Sequence, residues 1–291
     1  DRNGLRPSRY YLTEDDNVIM ASEVGVLPVD PSKVIKKGRL QPGKMFLIDF
    51  SKGEMIPDED IKTEIVNQHD YEQWNRAIVS LDDLKAEKEA EYISESLISR
   101  MRAFGYTTET MQFMLMPLVS ELRDPLGSMG NDAALACLSD KPRLIFDYFK
   151  QLFAQVTNPP IDSIREEVIM SLECLIGPEG NLLENDKDNV KRLRVDNPIL
   201  SNTELNQIKN LSIEGWNTRT IDLTYNIDDG LEGMKKRLEE ICSEAEQAIQ
   251  DECSFIILSD RNISNSVMTL SSLMACSSIH HHLVQRQLRT K

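Results

Sequence analysis

The sequence holds no Cys-x-x-Cys pair, and its five cysteines (Cys137, Cys174, Cys242, Cys253 and Cys276) are odd in number and widely spaced. Neither a disulfide framework nor a zinc or iron–sulfur ligand set follows from that spacing. A reducing, intracellular compartment fits such cysteine usage. No signal-peptide pattern is present, and no apolar run approaches the roughly 18 residues that would indicate a membrane span. Positive charge is short as well. Lys and Arg total 33 against 48 Asp and Glu, a formal net charge of −15. That balance argues against a nucleic-acid backbone or an anionic leaflet as the main partner, because such interfaces gain affinity through Lys and Arg. There is also no initiator Met before Asp1, and Lys291 follows directly on a helical pattern. Both ends read as cut from a longer polypeptide. What is present is an ordinary composition for a soluble protein, 40% hydrophobic over 291 residues, enough for one large domain or two of average size.

Along residues 1–53 the text reads as short strands between turns: Arg9-Tyr10-Tyr11-Leu12, Asn17 to Ser22, and Lys44 to Phe50. These are too few to close a domain. Residues 58–99 turn helical and charged, with sparse apolar positions at Leu81, Leu84, Tyr92, Ile93, Leu97 and Ile98, and read as an exposed connector. A second unit starts near Arg102. Met111, Leu115, Leu118, Val119 and Leu122 recur at helical spacing, and Pro117 is expected to end or kink that helix because it lacks an N–H donor. A Gly-containing turn from Asp124 to Asp132 follows, with Asp132 in N-cap position ahead of a helix-compatible run at residues 133–138. Residues 144–156 read as a helix that stops at Thr157-Asn158-Pro159-Pro160.

The last third alternates its elements. Ile221 to Tyr225 reads as a strand, Leu231 to Ala248 as an amphipathic helix, Phe255-Ile256-Ile257-Leu258 as a fully buried strand, and residues 269–286 as a further helix. This is the order of an α/β domain with parallel strands. Ser259-Asp260-Arg261 then falls at the carboxyl end of a strand, the edge where α/β folds place ligands. Asp260 and Arg261 there can bind a polar ligand, pair with each other, or cap the next helix.

The remaining motifs carry little chemistry. His280-His281-His282 cannot converge on one ion, because consecutive helical residues point about 100° apart. A structural role is the expectation, with at most one of the three facing an interface. No carboxylate–histidine pair can be placed for acid–base work. Gly127-Ser128-Met129-Gly130 lacks the Gly-Lys-Ser/Thr of a phosphate-binding loop and is not a dinucleotide fingerprint. Asn158-Pro159-Pro160 is stiff and suited to shaping a wall or an interface.

Long ordered strings nevertheless resemble glutamate synthase. Asp1-Arg2-Asn3-Gly4-Leu5-Arg6-Pro7 through Gly25-Val26-Leu27, with Lys37-Gly38-Arg39-Leu40-Gln41-Pro42-Gly43, resembles the end of its class II glutamine amidotransferase domain. Gly127 to Asp132, Tyr148 to Asp162 with Arg165-Glu166, Leu258-Ser259-Asp260-Arg261 and His280-His281-His282-Leu283 resemble its central domain. The resemblance implies an α/β central domain at 102–291, truncated at its C-terminal end. Ahead of it stand a β-rich amidotransferase remnant at 1–57 and a charged helical connector at 58–101.

The resemblance also implies a parent enzyme that makes L-glutamate from L-glutamine and 2-oxoglutarate. An N-terminal cysteine there releases ammonia, which travels through a tunnel to an FMN-containing barrel fed by an iron–sulfur cluster. Neither the nucleophile nor the barrel lies in this chain, so no catalytic, cofactor or metal residue is assigned to it. Its partners would be the amidotransferase and FMN domains of the same polypeptide, in cytoplasm or plastid. Asn131, Asp132, Asn158, Asp260 and Arg261 are the candidates for interdomain or tunnel surfaces. Gly177-Pro178-Glu179-Gly180 and Asp222-Leu223-Thr224-Tyr225 resemble the NADH-dependent eukaryotic type rather than NADPH- or ferredoxin-dependent forms. The rival expectation is a non-catalytic scaffold that keeps the central-domain fold.

Overall fold

The computed structural model describes residues 7–85, 97–125, 134–149, 161, 163–211 and 213–291. Contacts divide the chain into two units, Asp1–Asn75 and Arg76–Lys291.

The first unit is built from short antiparallel pieces. Strands β1 (Arg9–Thr13), β2 (Val18–Ala21) and β3 (Val34–Arg39) form a sheet in the order β2-β1-β3. β3 was not legible, because Lys36-Lys37 interrupts its apolar alternation. Gly38 sits opposite Tyr10 in register, and a side-chain carbon at Gly38 would meet the Tyr10 ring at 2.5–2.7 Å. That close approach is what the glycine permits. The Phe46 ring lies against the same tyrosine at 4.5 Å.

A hairpin follows, β4 (Leu47–Asp49) with β5 (Glu54–Ile56), and then α1 (Asp58–Val66) and α2 (Tyr71–Asn75). Asp58 pins the turn before the hairpin to the first turn of α1. Its carboxylate accepts from the Met45 N–H at 2.7 Å and from the ammonium groups of Lys62 at 2.9 Å and Lys44 at 3.3 Å. The Met45 hydrogen bond first, and the Lys62 contact second, hold that carboxyl at about 2, well below the usual range.

The second unit begins where the sequence implied connector. Val79–Ser80 forms β6, parallel to β8 (Leu193–Val195), which pairs antiparallel with β7 (Cys174–Ile176). Leu81 is then buried, because the strand pairing draws it beneath the sheet. α3 (Leu97–Ala103) precedes a helical run that does not end at Pro117. A π-helical stretch, Thr110–Leu115, leads into α4 (Met116–Ser120), with Pro117 in its first turn. A proline at that position needs no N–H partner, so the helix continues past it.

The run expected to be helical at 133–138 gives only a short 3-10 turn, Ala136–Leu138, and the aromatic stretch gives another at Ile145–Phe149. Residues 126–133 and 150–160, and with them Asn131, Asp132, Asn158 and the Asn-Pro-Pro turn, lie outside the described residues. α5 (Ser163–Ile169) and α6 (Asn202–Lys209) flank β7 and β8 in sequence.

The α/β portion follows in the expected order, but the strand expected over Ile221 to Tyr225 divides at Leu223 between two strands of different sheets, and the last helix is shorter at both ends than residues 269–286. β9 (Asn217–Asp222) and β11 (Cys253–Ser259) are parallel neighbours joined through the 21-residue helix α7 (Gly230–Gln250). β10 (Thr224–Asn226) pairs antiparallel with β12 (Val267–Thr269), and α8 (Ser272–Gln285) closes the unit.

Two apolar clusters lie on the two faces of β11. Phe255 and Ile257 pack with Leu81, Leu193, Val195, Ile208 and Trp216. Ile256 and Leu258 pack with Ile221, Ile241, Ala245, Ala275, Ile279 and Leu283. Alternate residues of a strand face opposite sides, so four consecutive apolar residues are what burial on both faces requires. On α7 the expected apolar side is buried at Ile241, Ala245 and Ala248, whereas Leu231 in the first turn is 60% exposed.

Candidate functional site

The polar groups that the second unit assembles lie at the carboxyl ends of β9 and β11, where Asp222 and Ser259 stand in register. Asp222 is the centre of that edge. Its carboxylate accepts from the Thr224 N–H at 2.9 Å and from the Asn262 amide at 2.7 Å. Its backbone carbonyl accepts from Arg237 Nη2 at 2.5 Å and Nε at 3.2 Å. Burial works against ionisation of Asp222, yet the Asn262 and Thr224 hydrogen bonds, with the nearby Arg237 charge, outweigh it and hold the carboxyl below its usual range.

Arg237 is itself held by Glu244 at 2.7 Å and Glu240 at 3.0 Å. Spacings of three and seven residues put all three on one helix face. Burial lowers the tendency of this guanidinium to stay charged, and the two glutamates more than compensate.

Arg261 ties three distant segments together. Its Nη2 donates to Asn202 Oδ1 at 2.6 Å, at the first residue of α6, and its carbonyl accepts from Arg100 Nη2 of α3 at 3.0 Å. Its own N–H reaches Ser259 Oγ at 3.5 Å. Of the options open from sequence, the guanidinium thus takes a partner 59 residues away rather than Asp260. Asp260 is half-buried and makes no hydrogen bond or ion pair among the described residues. Asn202, Asp222, Arg237 and Asn262 were not singled out by sequence. Only the Arg237-Glu240-Glu244 spacing carried a signal.

The histidine triplet separates as its helical spacing requires. His282 Nε2 lies 2.9 Å from Glu246 Oε2 on α7, and His280 Nδ1 accepts from Arg289 Nε at 3.0 Å. The fold therefore supplies a carboxylate–histidine pair that sequence could not place. Among the described residues no three His, Cys, Asp or Glu side chains gather so as to hold a metal ion. Burial pushes the Cys242 thiol up, away from thiolate chemistry. The hydroxyl–carboxylate pairs Ser32–Asp30 and Ser51–Asp49 close local turns two residues apart. Among the described residues no helix is long and apolar enough to cross a membrane.

This geometry defines an α/β module whose strand-end groups position one another and its loops. Its affiliation is specific. A family model for the glutamate synthase central domain matches residues 99–291, and one for class-II glutamine amidotransferases matches residues 1–74. The first match takes in about two thirds of the sequence, and the chain belongs to the glutamate synthase central-domain family.

Its whole length is 44% identical to glutamate synthase [NADH] of Schizosaccharomyces pombe and of Saccharomyces cerevisiae, of which it covers 14% in each case. It is also 44% identical to the glutamate synthase [NADPH] large chain of Bacillus subtilis, of which it covers 19%. The chain thus spans less than one fifth of the length of these relatives.

Proposed function

We propose that the chain is the joining segment of a glutamate synthase large chain, whose parent makes L-glutamate from L-glutamine and 2-oxoglutarate with a reductant. In this reading the end of the amidotransferase domain, 1–57, leads through the connector, 58–101, into the central domain, 102–291. The observation that carries the reading is the order of the two family matches on one polypeptide, amidotransferase first and central domain second.

FMN and the iron–sulfur cluster would be held elsewhere in the parent, where the flavin supplies electrons to reduce the aminated oxo acid. The donor assigned is NADH, on the likeness of Gly177-Pro178-Glu179-Gly180 and Asp222-Leu223-Thr224-Tyr225 to the NADH-dependent eukaryotic type. The Bacillus protein named for NADPH is equally 44% identical, so identity over this segment does not separate the two, and ferredoxin is the third option. The compartment assigned with it is cytoplasm or plastid.

The chain's own part is to join the glutaminase and FMN domains and to help line the ammonia path between them. Asn131, Asp132, Asn158, Asp260 and Arg261 are assigned to interdomain or tunnel surfaces. Asp260 supports this assignment best, as a half-buried carboxylate that no neighbour among the described residues has claimed. The network around Asp222 and Arg261 keeps its loop in place.

Asp260→Asn in the full-length enzyme tests the assignment. Glutamine hydrolysis should persist while glutamate formed per glutamine hydrolysed falls. Unchanged stoichiometry would reject the tunnel role. The 291-residue piece alone should show neither glutaminase activity nor flavin absorbance. A transcript whose reading frame does not continue into both catalytic domains would favour the scaffold instead.

A further inference from the structure

We propose that Arg100, Asn202 and Asp222 are positioning residues for Asp260: they clamp the turn after β11 from both sides and leave the Asp260 carboxylate free to face the path. The inference deepens the reading above and rests on it for the consequence in ammonia transfer; the clamp itself rests on contacts within Arg76–Lys291.

Every neighbour of Asp260 in the turn is held. Before it, the Ser259 carbonyl accepts from the Leu223 N–H at 2.9 Å. After it, the Arg261 guanidinium donates to Asn202 Oδ1 of α6 at 2.6 Å, and the Arg261 carbonyl accepts from Arg100 Nη2 of α3 at 3.0 Å. Asn262 Nδ2 then donates to Asp222 Oδ2, at the end of β9, at 2.7 Å. Three elements thus converge on one turn, and Asp260 is its one side chain without a hydrogen bond or ion pair among the described residues.

Each arm is braced behind its contact. The Asp222 carbonyl accepts from two nitrogens of Arg237, and the Asp222 carboxylate accepts from the Thr224 N–H, so the acceptor for Asn262 is set from two directions. On the other side α6 is seated by Ile208 in the cluster of Trp216 and Phe255, and its Gln207 donates to the Leu84 carbonyl at 2.9 Å. Leu84 and Arg100 both belong to the connector of that reading, 58–101. The connector therefore grips the turn directly through Arg100 and indirectly through α6.

Stability is a poor account of this convergence, because hydrogen bonds at a partly exposed turn contribute little beside buried apolar side chains. Placement is a better one. A functional side chain on a loop keeps its position only where supporting hydrogen bonds fix the backbone on both sides of it.

The test uses the full-length enzyme with one variant for each contact: Arg100→Met, Asn202→Leu and Asn262→Ala. Hydrogen exchange of the turn, residues 259–263, should quicken about twofold to tenfold in each, the population ratio that one hydrogen bond of ordinary net strength controls. Asn202→Asp keeps an acceptor for Arg261 and should behave as the parent does. Ammonia released per glutamate formed should rise in the same three variants, with the rate of glutamine hydrolysis unchanged. In an Asp260→Asn background none of the three should add to that loss, since they act through Asp260. Unchanged exchange in the turn would overturn the clamp. If Asp260→Asn uncouples but the loosened variants do not, or if they add to its loss, the positioning role is overturned. If the turn loosens while Asp260→Asn leaves the stoichiometry unchanged, the tunnel reading fails and the clamp stands.

Discussion

The two units use the same short strands but are held by different forces. In Asp1–Asn75 only Thr13 and Ile61 are buried among the described residues, and Val24, Val26 and Leu27 after β2 and Ile35 of β3 are more than half exposed. Its order comes from polar pins, Asp58 on the Met45 turn and Asp49 on Ser51 and Lys52. In Arg76–Lys291 apolar clusters pack on both faces of β11, and Leu193, Ile241, Ala245, Ala248 and Ala275 are each 0% exposed. Each large apolar side chain so buried contributes about 1.5–3 kcal/mol, about twice the net worth of a typical hydrogen bond, about 0.5–1.5 kcal/mol. Strand-like composition alone therefore does not make a core; coverage of both faces does.

The largest test of that contrast is Leu193→Ala. Leu193 sits in the cluster of Trp216 and Phe255, so the loss of side chain and the cavity left behind should cost about 2–5 kcal/mol. The two tryptophans fall one in each unit, Trp74 and Trp216. In a Trp74→Phe background, urea unfolding followed by fluorescence reports the second unit alone. Its midpoint should fall steeply, while the Trp74 signal in a Trp216→Phe background should not move. A shared shift would break the division between the units.

Asp58→Asn probes the other side of the comparison. The Asp58 carboxyl sits at about 2 in the folded unit, against about 3.9 when unfolded. A depressed folded value means that its contribution is complete above about pH 4, shrinks as pH falls towards 2, and is gone below that. The Trp74 midpoint should thus fall between pH 4 and pH 2 in the parent chain. In Asp58→Asn it should start lower at neutral pH and lose that part of its acid dependence. An identical acid profile in both proteins would show that apolar packing, not the pin, holds the first unit.

Local pattern and long-range partnership were not equally readable. Phe255 to Leu258 announced a strand packed on both faces by being four apolar residues in a row, and α7 announced its buried stripe by spacing; both were found, extended by one or two residues at each end, although Ile256, Ile257 and Leu258 are only partly buried. Val79–Ser80 could not be read as a strand, because two residues carry no period and their partner Leu193 lies more than a hundred residues on. The site failed in the same way. Asp260-Arg261 could be placed at a strand end from the sequence, but the Asn202 partner of Arg261 and the hold of Arg237 on the Asp222 carbonyl depend on how α6 and α7 pack. Of the two outcomes expected at Pro117, an end to the helix is not found, because the proline falls in the first turn of α4, where its N–H is not needed.

The smallest effect sharpens the comparison, because it places a polar pin inside the well-packed unit. Ser201 caps α6: its Oγ accepts from the Glu204 N–H at 3.2 Å, and the Glu204 carboxylate accepts from the Ser201 N–H at 2.6 Å. Ser201→Ala removes the first of these hydrogen bonds and leaves the second, so the expected cost is about 1 kcal/mol. Ser201→Asp should recover most of it, since aspartate is an equally good cap. α6 also buries Ile208 beside Trp216, sends Gln207 to the carbonyls of Leu81 and Leu84, and offers Asn202 to Arg261. In a packed unit the loss should stay local: a Trp216 midpoint lowered by that amount, with amide exchange faster in the first turn of α6 and unchanged in β11. If exchange in β11 and in the Arg261 loop rose together with α6, the cap would be holding the strand-end network as well. The contrast between a unit kept by packing and one kept by pins would then fail on the packed side.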